Sequence, residues 1–200
     1  MKKLVVLMLA LMLCLTAAAF AEEAIPSKTT GDLTKVEVIS ENIPADAGLE
    51  ITAVTVDAAD YEEKIQTCET EIAVLTASES VETYFGEVKD AAGETVDLAA
   101  VLETETLNVH EFCPLVVSNY EENYGNVKAA MQFSTPYTEG EKVIVLIGLV
   151  TVNEDGTQSV EWIAYEGVGT GAEGAIEVEL DAATMAAVQA GNALVAIVSK

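Results

Sequence analysis

Apolar residues recur along this chain at two different periods, and the change of period divides it. Val36–Ile39 and Leu49–Val56 are short β-rich runs, separated by a loop that holds Pro44 and Gly48. In the next stretch, DAADYEEKIQTCETEIAVL, the residues Tyr61, Ile65, Cys68, Ile72 and Leu75 follow alternating steps of four and three. That spacing draws one apolar stripe along a helix. Asp57 or Asp60 stands where a side chain would cap its first turn. The helix is predicted over 58–69, and the EIAVLTA that follows also alternates as a strand would. Beyond it, the Asp90–Gly93 turn joins Phe85–Lys89 to Glu94–Leu98 as a hairpin.

From Thr106 onward the pattern is β. Leu107–Ser118 reads as one long strand, with Pro114 arguing for an edge position or a bulge, because proline cannot donate to a ladder. Val127, Ala129, Met131 and Phe133 alternate with more polar neighbours, as in a half-buried strand. Val143–Val152 is apolar on both faces, apart from Thr151, and is predicted to be central. Asn153–Thr157 closes a hairpin onto the strand carrying Val160, Trp162 and Ala164, and Ile176, Val178 and Leu180 form the next. A short helix runs from Asp181 as N-cap to Gly191, and Ala193–Ser199 is the last strand. Short strands joined by turns predict a mainly β fold: an immunoglobulin-like β-sandwich over 106–200, with a smaller α+β portion over 35–105. The two portions form either two units or one continuous domain.

The N-terminus adds an address. Lys2 and Lys3, the apolar Leu4–Leu15 and the Ala19-Phe20-Ala21 triplet make a secretory signal over 1–21. Its apolar run is too short to span a bilayer, so no membrane span is expected after cleavage. Cys14 follows Leu13, where lipid attachment calls for a small residue. The polar EEAIPSKTTGDLT reads as a disordered leader over 22–34. An extracellular location follows.

Charge then removes partners. Cleavage leaves seven lysines, no arginine and 34 acids, a formal charge of −27. Such a surface repels phosphate, which excludes nucleic acid and disfavours anionic lipid headgroups. Two cysteines survive cleavage, Cys68 and Cys113. In an exported protein they are a candidate disulfide closing a long loop, or else two separate buried thiols acting as small hydrophobes. With one histidine they fall short of a four-ligand zinc site.

From YFGEVKDAAGETVDL through FSTPYTEGEKVIVLIGLVTVNEDGTQSVEWIAYEGVG to the C-terminus, the chain resembles uncharacterised secreted proteins of Gram-positive gut anaerobes. The resemblance implies an exported, immunoglobulin-like sandwich and no known activity. It carries over no functional residue.

Candidate chemistry gathers in NVHEFCPLVVSNYEENYG, which holds the sole histidine, His110. Regular alternation sets Asn108, His110 and Phe112 on one face of the strand and Leu107, Val109 and Glu111 on the other. Cys113, three residues on, would then point away from His110, and no G-x-S-x-G elbow exists. No catalytic residue is assigned. Calcium has loops to consider at 57–63, 119–126 and 153–157, but none has EF-hand spacing, so only weak, diffuse binding is expected. Tyr120, Tyr124 and Tyr137 fall on loops beside acids and are candidates for a recognition surface, or for pinning their own loops. Together these features predict a secreted, non-enzymatic binding module for a protein or glycan partner. The alternative is an extracellular hydrolase using paired carboxylates, which would need a cleft with two facing acids and aromatic walls.

Overall fold

The computed structural model describes residues 33–44, 46–54, 59–133, 137–171 and 175–200. The signal, most of the leader, Asp57 and Ala58 lie outside these residues. In chain order the elements begin with strands β1 (Leu33–Val38) and β2 (Glu50–Ala53), helices α1 (Glu62–Ala77) and α2 (Val81–Phe85), and strands β3 (Val88–Asp90) and β4 (Thr95–Val96). Helix α3 (Leu98–Leu102) leads into strands β5 (Asn108–Ser118), β6 (Val127–Phe133), β7 (Lys142–Val152), β8 (Gln158–Gly169) and β9 (Ile176–Leu180). Helix α4 (Ala182–Ala190) and strand β10 (Asn192–Ser199) complete the chain.

The fold is mainly β. One antiparallel ladder runs β1-β6-β9-β8-β7-β10-β5-β2. Its two end strands lie side by side without pairing, so the sheet curls into a nearly closed barrel. This ladder is continuous, and it departs from the expected two-sheet sandwich over 106–200. β1 and β2, from the predicted smaller portion, belong to the same sheet and contribute Leu33 and Ile51 to its core. Leu33 and Thr34, expected in the leader, are already strand.

The reason lies in the middle strands. On β7, Val143, Val145 and Ile147 point into the barrel, while Ile144 and Leu146 point out of it. β10 divides in the same way, with Val195 and Ile197 inside and Leu194, Ala196 and Val198 outside. An open sandwich would leave the second set in water at about 1.5–3 kcal/mol per large side chain. Here α1–α3 and β3 cover it with Cys68, Leu75, Val81, Phe85, Val88 and Leu98. Trp162 lies under this cover, edge-on to Phe85 at 5.0 Å and to Phe112 at 5.7 Å.

Local chemistry explains where the helices differ from the predicted elements. α1 continues through EIAVLTA because Leu75 extends the stripe of Cys68 onto the sheet. Phe85 and Leu98, expected as hairpin ends, belong to one-turn helices. Ser80 caps α2 by accepting from the Thr83 amide at 3.1 Å, and Asp97 caps α3 by accepting from Ala100 at 3.0 Å. The hairpin itself forms between β3 and β4, and β3 also runs parallel to β8.

Packing is close where β7 meets Trp162. A Cβ at Gly148 would stand 2.6 Å from the Trp162 ring and 2.7 Å from Val160. Gly148→Ala should therefore cost about 1–3 kcal/mol through overpacking. Trp162→Ala should cost about 3–5 kcal/mol through the cavity left under α2. Urea unfolding of the two variants checks both; a Gly148→Ala variant as stable as the parent would contradict the packing described.

Candidate functional site

The stretch Asn108–Gly125 leaves regular geometry at His110. Ile197 pairs with Glu111 and Val198 with Val109, so His110 is the extra residue of a β-bulge. The bulge resets the alternation. Val109 and Phe112, expected on opposite faces, both pack under the helices, and Glu111 turns to the barrel side with Cys113. Pro114 is where β2 peels away. Its carbonyl accepts from Val54 at 2.9 Å, and its ring nitrogen, on the same side of the strand, has no proton to offer in return.

The bulge brings His110 to Ser199, a residue that the sequence pattern does not single out. His110 Nε2 lies 2.6 Å from Ser199 Oγ, and Ser199 Oγ donates to the Lys200 carbonyl at 3.1 Å. Both contacts are satisfied when Nε2 carries its proton and donates to Oγ. Ser199 is 3% exposed, so its hydroxyl is enclosed beside His110. Glu111, the acid next to His110, is 2% exposed and accepts from the Leu33 amide at 3.0 Å, so this carboxylate holds β1 against the barrel end. Ser199 and Glu111 are thus each engaged in bonds near the ends of their strands.

Cys68 and Cys113 are both buried free thiols. Cys68, on α1, faces the outer side of the sheet with Sγ 3.8 Å from the Phe112 carbonyl, while Cys113 faces the barrel core. The β5 backbone runs between the two side chains. Burial, reinforced by nearby carboxylates, pushes the Cys68 thiol up to about 12 and raises Cys113 as well. Thiolate chemistry is thereby suppressed.

The three tyrosines turn inward. Tyr120, Tyr124 and Tyr137 are 5%, 9% and 9% exposed, which leaves little ring surface for a partner. Tyr120 Oη donates to the Gly125 carbonyl at 2.8 Å, and the Gln189 side chain accepts from the Tyr120 amide at 2.6 Å and donates to its carbonyl at 3.0 Å. Those bonds pin the 119–126 loop to α4. Tyr137 packs against Phe133 and His110. In the 153–157 turn, Asp155 accepts from the side chain and backbone of Thr157, which holds its carboxyl below the usual range. Among the described residues, no three acids, histidines or cysteines converge as metal ligands, and no helix is long and apolar enough to cross a membrane.

Surface concavities form instead where the 39–49 loop crosses the barrel. A pocket of about 380 Å³ is walled by the side chains of Val38, Ile39, Ile43, Pro44 and Leu49, with Ser40 and Gly48 adding polar surface. A polar trough of about 580 Å³ adjoins it, with Glu41, Asn126, Lys128, Glu177 and Glu179 on its walls. Ile39 and Ser40 are common to both. Its first residues are tied down: Ile39 donates to the Lys128 carbonyl at 2.9 Å, the Lys128 amide to Ser40 Oγ at 2.7 Å, and Asn42 Nδ2 to the Tyr124 carbonyl at 2.7 Å. The tyrosine loop thus contributes to a surface through Gly125 and Asn126, with the Tyr124 ring behind them. The 39–49 side carries no sequence motif; exposed Ile39 beside Pro44 was the one available sign.

Two expected outcomes follow from the buried ionisable groups. Both thiols should resist Ellman's reagent in the folded protein at pH 8 and react fully in denaturant; prompt reaction of either would contradict their burial. Cys68, Cys113, Tyr84 and Tyr165 all have raised folded pKa values, chiefly through burial. In the unfolded chain these groups ionise near 9.0 for thiols and 10.0 for phenols. Between those values and their folded ones the native state holds more protons, so stability falls as pH rises. Urea midpoints should be level just below pH 9 and drop steadily toward pH 12; a flat profile would contradict this.

No family model, curated protein or solved structure matches the chain.

Proposed function

We infer that the chain is an exported, non-enzymatic interaction module that recognises a protein or glycan partner through the paired concavities beside the 39–49 loop. Its resemblance to secreted proteins of Gram-positive gut anaerobes belongs to the same reading, as does release outside the cell after removal of 1–21. The observation that carries the reading is the contrast between this open, hydrogen-bonded groove and the burial of Ser199, Cys68 and Cys113. Ser199, Cys68 and Cys113 are each 3% exposed or less. Apolar side chains fill the barrel interior, as expected of a scaffold. The acidic surface favours solubility and selects against anionic partners.

The paired-carboxylate alternative has less to stand on. Glu37 and Glu177 flank Ala130 across the outer face of β1, β6 and β9, but Glu37 is paired with Lys35 at 2.8 Å, and Tyr124, the aromatic at the edge of the adjoining trough, is only 9% exposed.

Binding of the intact mature protein to envelope and mucosal extracts tests the proposal, alongside a panel of glycan, peptide and ester substrates. Saturable capture without turnover is expected, and His110→Ala should leave capture unchanged. Turnover abolished by His110→Ala or by a single glutamate change would overturn it.

A further inference from the structure

We propose that the pocket walled by Val38, Ile39, Ile43, Pro44 and Leu49 receives an apolar side chain of a basic polypeptide segment, whose lysines or arginines lie in the adjoining acidic trough. The assignment rests on the interaction-module reading and names the chemistry of its partner. Three observations support it.

The pocket is built before any partner arrives. Its walls are Val38, Ile39, Ile43, Pro44 and Leu49, and Ile39 is 38% exposed, one of few large apolar side chains so placed. The Gly48 carbonyl accepts from Asn119 Nδ2 at 2.8 Å, and the Ser40 and Asn42 side chains bond β6 and the 119–126 loop. A partner therefore meets a wall held by hydrogen bonds, and ordering that wall costs little on binding. At about 380 Å³ the pocket is large enough for one leucine- or isoleucine-sized side chain with room at its mouth.

The adjoining trough sets the sign of the partner. Glu177 and Glu179 project from the outer face of β9, and Glu41 stands on the loop across the trough. Lys128 is the single cation among the described residues of its walls, and it reaches Glu179 only at 3.9 Å. No lysine among the described residues pairs with Glu41 or Glu177. A cationic side chain laid along the trough meets these carboxylates, whereas an acidic peptide or sulfated glycan is repelled both there and by the whole chain's charge of −25.

The third observation is adjacency. Ile39 and Ser40 belong to both concavities, so the apolar anchor and the charged contacts sit on neighbouring positions of one extended segment. Apolar contact gives residence and the carboxylates give orientation and encounter rate. That combination distinguishes the site from the diffuse acidity of the remaining surface.

The test uses the intact mature protein and a fluorescein-labelled peptide of alternating lysine and leucine, with oligolysine of equal length as the comparison without apolar groups. Anisotropy titrations at near-physiological salt should show the lysine–leucine peptide binding about tenfold tighter than oligolysine. Ile39→Ser and the double variant Glu41→Gln/Glu177→Gln should each weaken it by about tenfold. Glu62→Gln/Glu63→Gln, on the exposed side of α1, should change it by less than about twofold. Backbone NMR shifts should centre on the 38–49 loop and on residues 125–128 and 177–179. Equal binding of oligolysine, equal losses in the α1 double variant, or shifts centred elsewhere would overturn the assignment. A captured extract partner that the peptide does not displace, and that binds Ile39→Ser as well as the parent, would overturn this assignment alone. Absence of any captured partner, together with no saturable peptide binding, would overturn the interaction-module reading itself.

Discussion

Two strands with apolar side chains on both faces cannot be satisfied by one layer of protein, and the architecture follows from that constraint. β7 and β10 place Val145, Ile147, Val195 and Ile197 on one side and Ile144, Leu146, Leu194 and Val198 on the other. Curling the sheet buries the first set, and laying α1–α3 across the outside buries the second. The N-terminal third of the described chain is therefore a structural necessity: β1 and β2 carry the barrel toward closure, and the helices cover the face it leaves outside. Gly148 lets the Trp162 ring lie against the sheet, so the outer layer sits at close range.

The barrel ends are where polar groups enter the interior, and each is bonded there. At one end the His110 bulge turns Glu111 inward onto the Leu33 amide. At the other, Tyr165 Oη donates to Asp181, the cap of α4, and also contacts Thr184 Oγ1 at 2.7 Å. Burial opposes charge on Asp181, but the bonds from Tyr165, Thr184 and Ala183 outweigh it and hold its carboxyl below the ordinary range. Tyr84 satisfies buried Glu71 at 3.1 Å in the helical layer. Buried polar groups committed in this way hold elements in register and are poorly placed to act on a substrate. The uncommitted surface lies outside, where the 39–49 loop crosses β6.

Periodicity made much of the fold legible, and its failures have local causes. The alternation of β6 and β9 and the two-faced run of β7 appear as the pattern requires. One inserted residue at His110 set Val109 and Glu111, assigned to one face, on opposite faces, because a period of two carries no memory across a bulge. Helices α2 and α3 are too short to show a period, though Ser80 and Asp97 mark their starts. Whether strands close on themselves or split into facing sheets depends on β1 and β2 pairing at a distance, and that leaves no trace in local spacing. The candidate site was half legible: the 119–126 loop attracted notice through its tyrosines, whose rings turned out to serve the core. Its partner loop, 39–49, is an ordinary proline-glycine turn until the fold sets it against Lys128 and Glu179.

The central claim is that barrel and helical layer form one cooperative unit joined through a sheet buried on both faces. Native-state hydrogen exchange as a function of urea tests it directly. The slowest amides of β7 and β10 and those of α1 around Cys68 and Leu75 should converge on a single opening free energy with the same urea dependence. Exchange of the α1 amides through a separate opening, several kcal/mol below that of β7 and with its own shallow urea dependence, would contradict the account.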